Sequence, residues 1–494
     1  MVSRVQHGFG QAYHFVQDLL CPTWRWMLLF AGTWCMFEAS RDASPSSGRL
    51  SLWQGPATVS LGVAAFVLFW AAAQPAMPLW MSRLWQRIPR FLHWRGWRGC
   101  IILLLVVNSW YTLNYHVSDL FDGQYHTDAL AFVHMDADLL LHGKNPYTTN
   151  DAFWLAELRW PESLATPMMN GPVFGNNPLV YPENSTMLKW LQYEAKNPQA
   201  RTSDLDPATA HNYPAGIIWL VLPFVWAGVP SILWVNFLFY LGILGLLLAS
   251  AERKDRPAIT MLMLFSPVIL DFMLFVNIDI ESIFFVIAAW HVLSKPRASA
   301  ILFGVACAVK QLAWFIAPFY LVEVARRDGW IAALKRGGWM AATFAVVNLP
   351  FIITSPAAWL HSILVPMTDP MFPLGFGPIT LALSGLIPFG SPHLWTLMVF
   401  GIILGLLYFQ WKRPAITQDG IFLGLVPLWF SWRSPMNYLV LIPILVAWVG
   451  TQQIAAAKAR HAAEQKMLLL NEAEEIALLP EPLPEHIPEL AGTH

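Results

Sequence analysis

The sequence predicts an all-α protein: a polytopic membrane helix bundle with one large outer loop that carries an amphipathic interfacial helix. Three observations carry the helical membrane part. Of 494 residues, 56% are hydrophobic and only 12% charged, whereas soluble domains average about 25% charged. So few charges cannot clothe a soluble surface. Apolar runs of membrane-spanning length recur from residue 24 to residue 450. The charged residues that remain are sorted by sign between loops, as the positive-inside rule requires. The net charge of −1 argues against a nucleic-acid partner.

The apolar segments fall at 24–39, 57–74, 99–115, 213–228, 231–250, 257–275, 278–293, 298–324, 338–354, 377–389, 393–410, 420–431 and 436–450. They predict eleven to thirteen spans, with 377–389 short enough to dip in and return. Ahead of them, the first twenty residues lack a signal-peptide pattern and read as a short cytoplasmic arm. Trp is abundant at 26 residues, as suits helices anchored at both interfaces. Cys21, Cys35, Cys100 and Cys307 are scattered through or beside apolar segments, without the spacing of a disulfide scaffold or zinc site.

Loop charge sets the orientation. Residues 75–98 hold Arg83, Arg87, Arg90, Arg95 and Arg98 and no acid, so they are expected in the cytoplasm. The loop 116–211 holds five basic and twelve acidic residues and is expected outside. One region conflicts: two full crossings within 213–250 would place Arg253, Lys254 and Arg256 outside. Residues 1–98 then form an arm plus two extra membrane helices, 99–451 the main transmembrane domain, and 452–494 a tail. The tail ends acidic and Pro-rich, NEAEEIALLPEPLPEHIPELAGTH, and is expected to be disordered.

Within the outer loop, Leu130, Val133, Ala137, Leu140 and Leu141 recur at helical spacing. Thr127 precedes them as a possible N-cap, and Gly143 with Asn145-Pro146 stops them. This predicts an amphipathic interfacial helix of about fifteen residues, polar face outward. Asp128 falls in its first turn, where the helix dipole favours a negative charge. The bland reading is a solvated acidic face that keeps a surface helix soluble. The functional reading makes Asp128 a general base at the lipid–water boundary, with Asp119 and Asp122 as fallbacks. A third reading combines His126, His134 and His142 with Asp138 as a metal site, but rings eight residues apart drift around a helix and do not converge on their own.

The run TDALAF…DLLLHGKNPY resembles the signature of polytopic glycosyltransferases of the GT-C superfamily. There an Asp opens the first outer-loop helix, an aromatic follows four residues on, and a Leu-rich turn leads to G-x-x-P-Y. Here those are Asp128, Phe132, Leu139 to Leu141, Gly143, Pro146 and Tyr147. The resemblance is greatest to glycosyltransferase family 87, which includes polyprenyl-phosphate-mannose-dependent mannosyltransferases. The stretches 211-HNYPAGIIWLVLPFVWAG-228, 304-GVACAVKQLAWFIAPF-319 and 431-SWRSPMNYLVLIPIL-445 resemble further family segments in family order, so the likeness covers roughly 110 to 450. Ala215 stands where a second Pro is usual, and 276-VNIDIES-282 stands where many relatives show Gly-Gln.

The resemblance implies a reaction that moves a sugar, mannose or another hexose, from a polyprenyl-phosphate donor to a lipid or glycan acceptor hydroxyl. The site would face the outer side, in a bacterial cell envelope the periplasmic side of the inner membrane. A carboxylate base contributes about 10²–10⁴-fold to such a step, and the leaving phosphate needs cations or a divalent metal to hold its charge; no cofactor is certain. Lys310 is the first cation: a lysine in an apolar run costs about 2.5–3.5 kcal/mol on insertion scales and such residues usually face a cavity. Arg433 is the second, with a planar fork suited to phosphate. Each also has a bland reading, as a snorkelling lysine and an interfacial anchor. His211, Tyr213, Asn437 and Tyr147 complete the expected binding residues. A lipid or lipid-linked sugar flippase is the alternative; it explains the helices and Lys310 but not the acidic outer loop. A scaffold without chemistry would need neither Lys310 nor Asp128.

Overall fold

The structure, a computed structural model, describes residues 24–43, 49–74, 77–80, 82–83, 95–123, 125–149, 166–171, 174–176, 179–196, 211–276, 278–368, 371–413 and 418–477. The expected N-terminal arm, the outer-loop stretches 150–165 and 197–210 and the acidic end of the tail lie outside these residues. In chain order the helices are α1 (Trp24–Ala43), α2 (Gln54–Ala72), α3 (Arg95–His116), α4 (Asp128–Leu141), α5 (Asn184–Lys196), α6 (Gly216–Trp226), α7 (Leu233–Ser250), α8 (Arg256–Leu264), α9 (Ile280–His291), α10 (Pro296–Val309), α11 (Leu312–Asp328), α12 (Trp330–Thr354), α13 (Pro356–Thr368), α14 (Pro392–Lys412) and α15 (Ile442–Ala477). One- and two-turn helices join several of them. The strands are two-residue pairs: β1 (Asn170–Gly171) antiparallel to β2 (Gly175–Asn176), and β3 (Leu374–Gly375) parallel to β4 (Arg433–Ser434). The all-α, multi-pass architecture is as expected.

The number of long spans is smaller than eleven to thirteen. Among the described residues, α2, α7, α12, α14 and the stretch Met436–Ala456 are long and apolar enough to cross a membrane. A sixth candidate is α8 with Pro267–Val276, bent by 60°. The bend falls at Ser266-Pro267, where proline has no N–H to continue the helix. Other apolar runs are cut short: 298–324 breaks between α10 and α11, and 213–228 yields only the eleven residues of α6. At 1.5 Å per residue α6 rises about 16 Å, roughly half a hydrocarbon core. Helix α6 is thus too short to cross alone, and of the two apolar runs in 213–250 only α7 has spanning length.

Helices α12 and α14 turn Val346, Ile353, Leu397 and Leu404 outward, whereas Met436–Ala456 is largely enclosed. Apolar surface on the first two suits lipid contact. The first two helices are bonded to the rest, not appended to it. Trp26 donates its indole N–H to Asp255 at 3.0 Å, and Phe66 of α2 meets Trp429 edge-on with ring centroids 5.2 Å apart. The last helix runs to Ala477, so the tail expected from 452 begins as helix. Its Ala, Glu, Gln, Lys and Leu content explains this, because these are the strongest helix formers.

Helix α4 forms where the periodicity predicts it. Thr127 is extended at its start, and Gly143 past its end has φ +72°, while Lys144 N–H returns to the Leu139 carbonyl. Such a left-handed terminator satisfies the last carbonyls. The expectation of a surface helix with one polar face is corrected: Leu130, Ala131, Phe132, Val133, Met135, Asp136, Ala137 and Leu139 are all buried. Helix α4 packs against α6 inside the protein, and its one deeply buried acid, Asp136, is matched by His211.

Candidate functional site

Asp128 opens α4, so its carboxylate lies beside the free N–H groups of a first turn. Its Oδ1 accepts the Ala129 N–H at 2.8 Å, and its Oδ2 accepts the Thr166 N–H at 3.1 Å and hydroxyl at 2.8 Å. The helix start is held from below, where the Thr127 hydroxyl donates to the Val276 carbonyl. Burial pushes the Asp128 carboxyl above its ordinary 3.8. The three donors and the positive charge of Arg433 pull in the opposite direction without cancelling the rise.

From Asp128 a short run of backbone contacts leads to Arg433. Thr166 precedes Pro167, whose carbonyl accepts the Phe372 N–H at 2.8 Å. Phe372 in turn accepts from Arg433 Nη1 at 3.0 Å. An isolated bridge between Met168 and Met371 fastens the same two segments. Arg433 itself sits on β4, beside β3. The β3 residue Gly375 has φ +135°, and a Cβ there would lie 2.3 Å from Ser434 Oγ, so only glycine allows this pairing.

Lys310 is not inside a continuous helix. It lies in the break between α10 and α11, in extended conformation. Its Nζ is 3.3 Å from Asp279 Oδ1 and 3.5 Å from the centre of the Tyr213 ring. Both members of the ion pair are buried. Gln311 next door donates its amide to the carbonyls of Asn212 and Ile363, which pins the Tyr213 segment to the break.

Lys310, Arg433 and Tyr213 line one cavity of about 340 Å³, together with Gln311, Tyr438 and a wall of Phe315, Leu428 and Val399. The charges of both Lys310 and Arg433 act on Asp128. Two cations and an apolar wall suit an anionic headgroup with a hydrocarbon tail; Asp128 is not itself among the residues that line this cavity.

The remaining expected residues divide. His211 is fully buried, with Nδ1 in a very short contact with Asp136 Oδ2 and its ring edge-on to Tyr147. Tyr147 donates its hydroxyl to the Tyr213 carbonyl at 2.8 Å. Neither is among the cavity-lining residues; both shape the segment that presents Tyr213. Asn437 is likewise absent from the lining, where its neighbour Tyr438 stands. Asp122 is exposed. Asp119 is buried against His116 and His126. The three histidines of the helical-spacing reading go separate ways: His126 to Asp119, His134 to the Tyr125 hydroxyl, and His142 to the Asp138 carbonyl. That metal reading is corrected for the geometric reason of ring drift around α4.

Sequence reading missed Asp279, Tyr438 and Thr166. Asp279 had a signal, an acid in an apolar run. Thr166 had none, being 38 residues from its partner.

The sequence profile described as Glycosyltransferase family 87 matches residues 211–426. The matched stretch contains His211, Tyr213, Asp279 and Lys310 and ends before Arg433. No curated protein and no solved structure matches the chain. The profile match and the helical membrane architecture together are consistent with a membrane glycosyltransferase similar to family 87.

Proposed function

We propose that the protein transfers a hexose, mannose being the first candidate, from a polyprenyl-phosphate carrier to an acceptor hydroxyl at the outer face of a bacterial inner membrane. The observation that supports this reading is the shared cavity: Lys310 and Arg433 line it, and both interact with Asp128. The prenyl chain occupies the apolar wall and its phosphate meets the two cations. Asp128 takes the proton of the acceptor hydroxyl as that oxygen bonds to the anomeric carbon. The bond from that carbon to the phosphate oxygen breaks, and the prenyl phosphate leaves with the electron pair, its charge held by Lys310 and Arg433. The Thr166 and Ala129 donors fix the carboxylate in place, which is the positioning that such a step depends on.

Membranes containing the protein, incubated with radiolabelled polyprenyl-phosphate mannose, test this. A labelled product with a new glycosidic bond supports transfer. Movement of labelled donor across the membrane without such a bond would support a flippase and overturn the reading.

A further inference from the structure

Outside the cavity, at the junction of α3 and the approach to α4, stands a second group of chemically active side chains. His116 ends α3, Asp119 begins the one-turn helix Asp119–Asp122, and His126 lies two residues before Asp128. His116 Nδ1 is 2.9 Å from Asp119 Oδ2 and 3.1 Å from His126 Nε2, and His126 Nε2 is 2.8 Å from Asp119 Oδ2. Three potential ligand atoms therefore form a nearly equilateral triangle. Ligands about 2.1 Å from a zinc-like ion subtend edges of about 3.0 Å on an octahedral face and about 3.4 Å on a tetrahedral one. The observed edges match the octahedral face and need only a small expansion for the tetrahedral one.

The surroundings add an independent sign. The other ring nitrogen of His116, Nε2, is 3.0 Å from Asp271 Oδ1. A ligating histidine usually gives its remote N–H to a carboxylate in this way, which leaves the near nitrogen with a lone pair for the ion. With that proton on Nε2, Nδ1 faces Asp119 Oδ2 and His126 Nε2 as a third ligand atom of the triangle. Asp271 opens the π-helix Asp271–Val276, and Phe275 of the same segment stacks on the His116 ring with centroids 4.5 Å apart. Single π turns are rare and concentrate at functional sites. The π-helix also receives the Thr127 hydroxyl at Val276, so it supports both this cluster and the start of α4. The His126 side chain is 35% exposed, which gives water access to the open positions of an ion.

We infer that His116, Asp119 and His126 form a binding site for one divalent transition-metal ion of the zinc class. Two imidazoles and one carboxylate suit such an ion, whereas magnesium and calcium prefer all-oxygen sites. The ion clamps the end of α3 to the approach of α4, with water in the remaining positions. Nothing here depends on the sugar-transfer reading, and metal content is measured without any substrate.

The test uses full-length protein in detergent, stripped with chelator, incubated with Zn²⁺ alone and passed through gel filtration. Elemental analysis is expected to find about one zinc per chain, the stoichiometry of a single three-ligand site. His126→Gln and Asp119→Asn should lose that zinc, while His142→Gln, at an exposed histidine after α4, keeps it. His126 is partly exposed, so His126→Gln should stay monodisperse even if the Asp119 variant does not. Asp271→Asn should weaken zinc affinity about 10–100-fold. No retained zinc in the wild type, or equal zinc in the wild type and His126→Gln, would overturn the inference. In that event His116 is a doubly protonated ring held between two carboxylates.

Discussion

Lys310→Met tests two roles proposed for one side chain, neutralising Asp279 and holding the donor phosphate. The substitution removes the ammonium from the buried Asp279 carboxylate 3.3 Å away and from the face of Tyr213. Breaking a buried ion pair from one side costs about 3–5 kcal/mol, a large part of the net stability of about 5–15 kcal/mol typical of folded domains. The single variant is thus expected to be clearly destabilised, and its loss of activity is ambiguous. Lys310→Met combined with Asp279→Asn removes both charges, and such paired replacements are often close to neutral. The double variant should recover most of the stability, measured by detergent-solubilised thermal unfolding. It should not recover donor use, because the phosphate still lacks a contact worth about 1.5–3 kcal/mol, equivalent to roughly 10–150-fold in donor affinity. Thermal unfolding and a donor titration on wild type, both single variants and the double variant give the cycle. If the double variant binds donor as well as the wild type, Lys310 serves only to neutralise Asp279 and the phosphate clamp is refuted.

Other outcomes follow from the same geometry. Arg433→Lys keeps the charge but loses the planar fork and the Nη1 bond to the Phe372 carbonyl, so donor KM should rise by about tenfold or more; an unchanged KM would remove the bidentate contact. Because burial raises the Asp128 carboxyl above 3.8 and only the ionised form accepts a proton, activity should fall with decreasing pH through an apparent pKa above that value. Thr166→Val deletes a donor to the ionised form and should move this limb higher; a limb at or below 3.8 would contradict the assignment. Asp136→Asn removes a charge from the fully buried contact with His211 and should lower unfolding stability by about 3–5 kcal/mol, with donor KM little changed in the folded fraction.

The class of fold was legible because composition and apolar length report directly on the solvent a chain requires. Helix α4 was legible too, since Thr127, the apolar period and Gly143-Lys144-Asn145-Pro146 all agree on its ends. Its environment was not: the period identifies which residues are apolar but not that α6 packs on them. Span number failed for a related reason. An apolar window such as 298–324 has the same composition whether or not the chain breaks at Lys310-Gln311. Among the candidate site residues, Lys310 was visible as a costly charge in an apolar run, Asp128 as an acid in the first turn of an outer-loop helix, Arg433 as a cation at a span end, and Tyr213 through its motif. His211, Tyr147 and Asn437 came from the same motifs, yet sequence proximity does not separate a side chain that lines a cavity from one that props its wall. The pairing of Asp279 with Lys310, 31 positions apart, and of Thr166 with Asp128 are tertiary contacts with no local trace.

The central claim is that Asp128 acts in the chemical step and not in binding. The direct measurement is single-turnover sugar transfer by Asp128→Asn beside donor binding to the same preparation. Asparagine keeps the size of the side chain and one carbonyl acceptor. Donor binding should therefore stay within a few-fold of wild type while the transfer rate falls by at least about 10². Transfer at the wild-type rate by a folded, donor-binding Asp128→Asn would contradict the account.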